Sequence, residues 1–275
     1  MSAVAPKDHP PAPREVLIVS HSMLFYWWPV WAIGLLMALL TYVDGHRLAV
    51  VPSGTEAVRE RTVQGFDNPR DVLVLPAGAK LPPATGAPEQ PTLHVAGHSG
   101  YGVIAAVVLL VVIFFTNVPI RGMVSVVTVI TLILLSIILA LTGGWDYILD
   151  FFDHSHVYVN AFGYLAVAVP LLVLWLLAVL VFDRQSYMVF APGQLRVHQQ
   201  IGSGEVAYDT MGMVVEKKRS DLFRHWLLGI GSGDLIVKTA GAAGDHFDLP
   251  NVLFISKKVQ QIEEMLRKRK VVEGR

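Results

Sequence analysis

The chain has 275 residues, of which 53% are hydrophobic and 16% are charged, whereas an average soluble domain carries roughly 25% charged residues. Its 22 basic and 22 acidic residues cancel, which argues against a uniformly basic nucleic-acid-binding protein. The sequence contains no cysteine, which excludes disulfides, cysteine-ligated zinc and thiol catalysis.

Most of the apolar excess falls in four runs that contain no Asp, Glu, Lys, Arg or His. A helix of roughly 20 apolar residues crosses the ~30 Å hydrocarbon core of a bilayer, and a soluble helix normally keeps one polar face. We therefore predict transmembrane helices at residues 22–43, 101–117, 123–143 and 161–182. The first run is followed by no clear small-x-small cleavage site, so we interpret it as a retained anchor.

The distribution of basic residues predicts the topology. The connection between the second and third runs carries Arg121 and no acid, whereas residues 144–160 carry three Asp and no Lys or Arg. The segment 183–275 holds 14 of the 22 basic residues. By the positive-inside rule, both termini are cytoplasmic, including a cytosolic tail at residues 1–21, and the protein lies in the inner membrane.

Three segments lie outside the runs. Residues 44–100 have short β-like pieces between Pro/Gly stretches and predict a small extracytoplasmic β-rich domain. Residues 144–160 form an extracytoplasmic loop, in which positions 145–153 show the apolar spacing of a short interfacial helix. Residues 183–275 contain about six strand-like pieces and end in an amphipathic helix with apolar side chains at Val252, Ile255, Val259, Ile262 and Leu266. The predicted class is a membrane protein of mixed α+β type.

The stretch DLFRHWLLGIGSGDLIVKTAG, residues 221–241, carries a resemblance to a known family. An apolar, glycine-containing segment leads into a strand, and Thr239, Ala240 and Gly241 supply the turn. Together with the strands before it and the closing helix, residues 183–270 resemble the bacterial pleckstrin-homology-like (PH-like) domain family. The resemblance implies a PH-like β-barrel or sandwich capped by a C-terminal helix and used for binding or assembly.

Four side chains of the predicted outer loop are candidate metal ligands, Asp150, Asp153, His154 and His156. Imidazole and carboxylate groups bind zinc, copper or iron. Short polar loops also collect such residues as solvated or capping groups, and the spacing matches no familiar metal signature. A metal-binding extracytoplasmic accessory protein is therefore an alternative function, and no cofactor is predicted.

Two basic clusters mark the segment 183–275. The first comprises Lys217, Lys218 and Arg219, and the second comprises Arg267, Lys268, Arg269 and Lys270. Each basic residue near an anionic leaflet contributes about 1 kcal/mol, so we predict that both clusters face the inner membrane or an acidic partner. A solvated surface with positive-inside bias is the alternative. Nucleic acid is not expected, because 14 basic and 11 acidic residues leave this segment a net charge of only +3.

The sequence favours a non-enzymatic function. It contains no G-x-S-x-G, H-E-x-x-H or P-loop motif, and its apolar runs lack the charged residues that transporters commonly carry. We predict a homo-oligomeric scaffold or membrane-organising subunit that contacts the lipid bilayer, itself and a protein partner on its PH-like domain. A pore or transporter subunit is the second alternative.

Overall fold

The computed structural model describes residues 15–80, 91–118, 120, 122–198, 204–219, 221–240 and 244–273, with side chains described to residue 267. Residues 1–14 of the predicted tail and the side chains of Lys268, Arg269 and Lys270 therefore lie outside the described part. Six α-helices are present in that part: α1 (Trp28–Asp44), α2 (Gly100–Asn117), α3 (Met123–Thr142), α4 (Gly144–Asp153), α5 (Ala161–Leu177) and α6 (Ile255–Glu273).

Four helical stretches are long and apolar enough to cross a membrane, which confirms that part of the sequence prediction. They are Met23–Asp44, Gly100–Asn117, Met123–Thr142 and Ala161–Gln185, where the first includes a 3₁₀ turn before α1 and the last continues α5 through a π-helical turn. These helices indicate a multi-pass membrane protein.

Local chemistry sets the helix ends. The Asn160 side chain accepts a hydrogen bond from the backbone N–H of Gly163 at 2.6 Å and caps the start of α5. At its C-terminal end, α1 stops at Gly45, which has a φ of 73° in the left-handed region that glycine adopts without a steric penalty.

The spans differ in how they pack. α1 packs against α5 and α2, and Gly34 lets the backbones of α1 and α5 approach closely, since a Cβ there would lie 2.8 Å from the Cβ of Ala168. α3 packs mainly against α4, and only 6% of its apolar window is buried. Three spans therefore form a bundle, whereas α3 presents nearly its whole apolar surface outward.

Eleven strands are present in the described residues. They are β1 (Val16–Val19), β2 (Arg47–Leu48), β3 (Glu56–Arg61), β4 (Arg70–Val74), β5 (Leu93–His94), β6 (Tyr187–Ala191), β7 (Gln194–His198), β8 (Val206–Asp209), β9 (Val214–Lys218), β10 (Gly233–Lys238) and β11 (His246–Val252). An antiparallel sheet has the order β1-β6-β7-β8, and a second has the order β11-β10-β9.

These two sheets and α6 enclose one apolar core, which we call the sheet domain. Ile18, Leu195, Leu235 and Val237 are fully buried in it, and α6 contributes its predicted apolar face, including the fully buried Ile262. Within the described residues, the two sheets do not close into a barrel. The observed arrangement is therefore two sheets packed around a helix.

The N-terminal segment is more than the tail that the sequence predicts. β1 pairs antiparallel with β6, with Val16 opposite Phe190 and Val19 opposite Tyr187. Because β1 precedes the first span and β6 follows the fourth, the pairing places these two flanking segments on the same side of the bundle. β1 also alternates between buried and exposed positions, so its apolar side chains complete the core of the sheet domain.

Residues 44–100 form two small antiparallel pairs, β2 with β5 and β3 with β4. The first pair is joined to the bundle through the Asp44 carboxylate, which accepts a hydrogen bond from the Gly97 N–H at 3.0 Å. The short helix that the sequence predicts at residues 145–153 is present as α4. β3 has the sequence EAVRER, which is mostly charged and exposed and therefore lacks the apolar alternation that predicts a strand.

Replacing Ile18 by Ala tests the role of β1. Because Ile18 is fully buried, Ile18→Ala is expected to lower the free energy of unfolding by about 2–5 kcal/mol, as large-to-small changes in a core do. The matched control is Leu17→Ala on the same strand, where the side chain is 53% exposed and little change is expected. Denaturant unfolding in mild detergent measures both variants, and equal effects would show that β1 is not part of the core.

Candidate functional site: a buried polar junction

A cluster of buried polar side chains lies where the first span meets the sheet domain. We call it the polar junction, and it consists of Tyr26, Arg224, His225, Ser232, Asp234 and Asn251. All of these side chains except Asp234 belong to residues at most 8% exposed. Such a cluster is unusual because burying a polar group is costly unless a hydrogen bond compensates.

Tyr26, in the 3₁₀ turn before α1, is the centre of the polar junction. Its hydroxyl donates a hydrogen bond to Asn251 Oδ1 at 2.8 Å and lies 3.0 Å from Ser232 Oγ. His225 Nδ1 lies 3.3 Å from the same hydroxyl and 3.1 Å from Ser232 Oγ. One hydroxyl therefore contacts three residues that are about 200 positions away in sequence, one of them on β11.

A charged pair, Arg224 and Asp234, lies beside Tyr26 within the polar junction. Arg224 donates from a terminal guanidinium nitrogen to Asp234 Oδ2 at 2.9 Å, and Asp221 Oδ1 accepts a hydrogen bond from the Arg224 backbone N–H at 2.9 Å. His225 Nε2 lies 3.5 Å from the same Asp234 oxygen. Arg224 Nε is buried without a hydrogen-bond partner among the described residues, and its closest carboxylate oxygen in an ion pair belongs to Asp221, at 4.0 Å.

Burial alone would raise the pKa of Asp234, but its neighbours outweigh that effect. The hydrogen bond with His225, the Asn251 backbone N–H and the positive charge of Arg224 together hold the pKa of this carboxyl below its usual range. Asp234 is therefore maintained as a carboxylate that ties β10 to β11.

Asn251 closes the polar junction from β11. Its φ of 58° lies in the left-handed region, which asparagine adopts more readily than most residues. In that conformation its backbone N–H reaches Asp234 Oδ1 at 3.1 Å, and its side-chain amide donates to the His21 backbone oxygen at 2.8 Å. The register between β10 and β11 shifts at this place, between Gly233 and Leu235.

Further hydrogen bonds tie the spans to the same region. His21 Nδ1 lies 3.0 Å from Asp183 Oδ2, which joins the segment before the first span to the end of the fourth. Trp28 Nε1 donates to the Leu228 backbone oxygen at 2.9 Å, and Trp175 Nε1 donates to the Phe25 backbone oxygen at 2.9 Å. The Trp28 bond joins the first span to the segment before β10, and the other two bonds join the first span, or the segment before it, to the fourth span.

The groups of the polar junction pair mainly with one another. Its hydroxyl, amide and carboxylate groups bind one another, and nearly all of them are withdrawn from solvent. Mutual pairing of polar groups in a low dielectric stabilises such a network.

A more accessible polar surface lies in a cleft between the two sheets, with a volume of about 350 Å³. Tyr187 and His198 stack there with ring centroids 4.8 Å apart. The polar lining also includes Ser20, Ser186, His246 and Asp248.

The structure does not bring the two predicted basic clusters together. Lys217 Nζ lies 3.4 Å from Ser256 Oγ at the start of α6, whereas Arg267 lies about 16 Å further along that helix. Arg219 is an exposed residue whose guanidinium donates to the backbone oxygens of Gly231 at 2.7 Å and Ser232 at 3.2 Å. Membrane or partner binding by these clusters stays a prediction.

The four predicted metal ligands lie on α4 and the turn that follows it. His154 Nδ1 is 2.8 Å from the backbone oxygen of Asp150 and 3.3 Å from its carboxylate, and both contacts raise the pKa of His154 above its usual range. Among the described residues, no three His, Asp or Glu side chains are grouped to hold a metal ion. Metal binding by Asp150, Asp153, His154 and His156 stays a prediction.

The polar junction is not among the sites predicted from the sequence. Tyr26 lies in an apolar run, where it looks like one more aromatic residue at a membrane interface. The available signal was the pair Arg224 and His225 within the apolar stretch LFRHWLLG, since two adjacent polar residues there need buried partners.

Replacing Tyr26 by Phe tests the centre of the polar junction. The ring stays, but Asn251, Ser232 and His225 each lose a buried partner, so Tyr26→Phe is expected to lower the free energy of unfolding by about 1–3 kcal/mol. Tyr147→Phe is the matched control, because Tyr147 is 79% exposed. Denaturant unfolding in detergent makes the comparison, and an unchanged Tyr26→Phe protein would rule out a stabilising role for the hydroxyl.

The lowered pKa of Asp234 predicts a pH dependence. Its contribution to stability is fully present above the unfolded-state pKa of about 4 and is lost as the pH falls through the lower folded-state value. The difference in unfolding free energy between the wild type and Asp234→Asn is therefore expected to be largest near neutral pH and to shrink under acid conditions. Ser232→Ala, which removes no titratable group, is the control, and a difference independent of pH for Asp234→Asn would contradict the expectation.

A scan against protein-family models gave no match, and searches of curated proteins and of solved structures gave none either. The resemblance of residues 183–270 to the bacterial PH-like family therefore stays a prediction. The structure itself establishes a mixed helix-and-sheet protein with four helices able to span a membrane.

Proposed function

We propose that this protein is a non-enzymatic scaffold of the inner membrane, with both termini and a PH-like sheet domain in the cytosol. The polar junction is the observation that carries the proposal. Its polar groups are used to fix the sheet domain on the ends of the spans, so the domain is presented at a constant position relative to the bilayer. A binding or assembly subunit requires a domain that is held in a fixed orientation.

The cleft between the two sheets is the proposed binding site for a protein partner. Its rim offers hydroxyl, imidazole and carboxylate groups from Ser186, Tyr187, His198, His246 and Asp248. These groups suit a polar peptide segment better than an apolar one. β1 and β11 are each the edge strand of their sheet, so backbone groups are available beside the cleft for an added extended chain.

The outward-facing α3 supports self-association. Met123 and Leu141, near its two ends, are 77% and 83% exposed, and Ser125 is the buried residue of this helix. Helices associate in lipid through close packing rather than through a hydrophobic driving force, and a span with so few contacts within its own chain has free surface for a second copy.

A photo-crosslinking experiment tests the scaffold function. Benzoylphenylalanine is placed at His246 in the cleft and, as a control, at Met211, which is 62% exposed in the turn between β8 and β9. Irradiation of native membranes is expected to give a discrete protein adduct from position 246 that is absent from position 211. Failure of position 246 to form any adduct would contradict the proposed partner site.

Reconstitution separates the scaffold from the pore or transporter alternative. Purified full-length protein in liposomes is expected to give ion and solute flux equal to that of empty vesicles, and native mass spectrometry in mild detergent is expected to show more than one copy. Flux well above the empty-vesicle rate would favour the pore, and a clean monomer would contradict self-association.

A further inference from the structure

The segment that precedes β10 has an inverted distribution of polar and apolar side chains. We call residues 222–230, built around the π-helical turn Phe223–Leu228, the wedge. Its polar residues Arg224 and His225 are only 8% and 2% exposed. Its exposed side chains are apolar: Leu222 at 39%, Trp226 at 79%, Leu227 at 50% and Ile230 at 61%. A surface facing water normally has the opposite arrangement.

The wedge lies beside the spans rather than beyond their ends. Phe223 stacks on Phe115 of α2 with ring centroids 4.2 Å apart. Leu227 and Leu228 share an apolar groove of about 260 Å³ with Val108 of α2 and with Trp28. Val108 lies nine residues before the end of α2 at Asn117, about 14 Å along the helix axis. That depth falls within the ~30 Å hydrocarbon core if α2 crosses the bilayer.

Several backbone oxygens of the wedge and of the turn that follows it accept hydrogen bonds from within the protein. The Leu228 oxygen accepts a hydrogen bond from Trp28 Nε1 at 2.9 Å, and the His225 oxygen accepts one from the Gly231 N–H at 3.0 Å. The Gly231 oxygen is bound by the Arg219 guanidinium at 2.7 Å. Internal pairing of this kind is what irregular backbone needs at membrane depth, where unsatisfied carbonyls are costly.

Ile230 provides an independent indication. Its φ of 48° lies in the left-handed region, where a β-branched residue is strained and glycine is not. The side chain is also 61% exposed, so packing within the protein does not account for an isoleucine at this position. Contact with an apolar medium does account for it.

We propose that the wedge is a re-entrant membrane anchor, which inserts Trp226, Leu227 and Ile230 among the lipid acyl chains of the leaflet on the sheet-domain side. The occupant of this surface is lipid, because the surface continues the apolar faces of α1 and α2. Phe254, 60% exposed beside Leu253 at the start of α6, extends the same surface, since Leu253 packs on the cluster that contains Phe25 and Val112. The inference rests on the proposed function only in placing the spans in a bilayer.

The cysteine-free chain allows a direct test. Single-cysteine variants Trp226→Cys and Ile230→Cys are labelled with the fluorophore NBD and reconstituted as full-length protein in phosphatidylcholine–phosphatidylglycerol vesicles. Met211→Cys on the same domain is the matched control. Quenching is measured with phospholipids that carry a nitroxide on the acyl chain, and separately with iodide present on both sides of the membrane.

Labels at 226 and 230 are expected to be quenched at least threefold more strongly by the acyl-chain nitroxide than the label at 211, and to be shielded from iodide. Iodide quenching equal to that at 211 would overturn the anchor, because the wedge would then lie in water. Shielding from iodide without nitroxide quenching would also overturn it, since a second copy rather than lipid would then cover the wedge.

The variant Ile230→Gly gives a second test, whose expected result differs from that of a protein that fails to fold. Glycine relieves the left-handed strain, so this variant is expected to unfold in detergent no earlier than the wild type. With NBD at position 226, it is nevertheless expected to show weaker nitroxide quenching in vesicles. Unchanged quenching would remove Ile230 from the anchor. The photo-crosslinking experiment at position 246 does not depend on these results. A negative result for the membrane anchor is therefore distinguishable from a negative result for the scaffold function.

Discussion

The central contact of the polar junction is made by the Tyr26 hydroxyl, which joins the first span to polar groups about 200 residues later in the chain. It lies at the start of the first span and contacts Asn251, Ser232 and His225, one of which lies on β11. A buried hydroxyl that lost these partners would carry a desolvation penalty with nothing to offset it. Hydrogen bonds depend on the angle between donor and acceptor, whereas the hydrophobic effect depends on buried area. The hydrogen bonds of the polar junction therefore fix the orientation of the sheet domain relative to the spans more closely than apolar contact alone.

The periodic and uncharged parts of the chain were predictable from sequence. Four spans follow from the absence of charge over about 20 residues, and α6 follows from apolar positions such as Ile255, Val259 and Ile262 repeating every three or four residues. These signals are local, since each residue of the pattern lies within a few positions of the next.

The polar junction and the position of β1 were not predictable, because both are long-range. The fragment VLIV at Val16–Val19 is too short to identify as a strand, and its partner β6 lies about 170 residues later. Tyr26 likewise finds partners about 200 residues away, which no spacing rule detects. β3 was not predictable for a different reason. Charged residues such as Arg59 and Glu60 lie on a hairpin with little burial, so the alternation of apolar and polar residues that identifies a strand is absent.

The pairing of β1 with β6 has a consequence for biogenesis. β1 is synthesised first, but it has no partner until the ribosome has completed all four spans, so its edge stays open while the membrane segments insert. The sheet closes only when both strands have reached the same side, which an odd number of crossings prevents. A chain with one missed insertion would keep an unpaired strand and an incomplete core, a state that quality-control proteases distinguish from the finished protein.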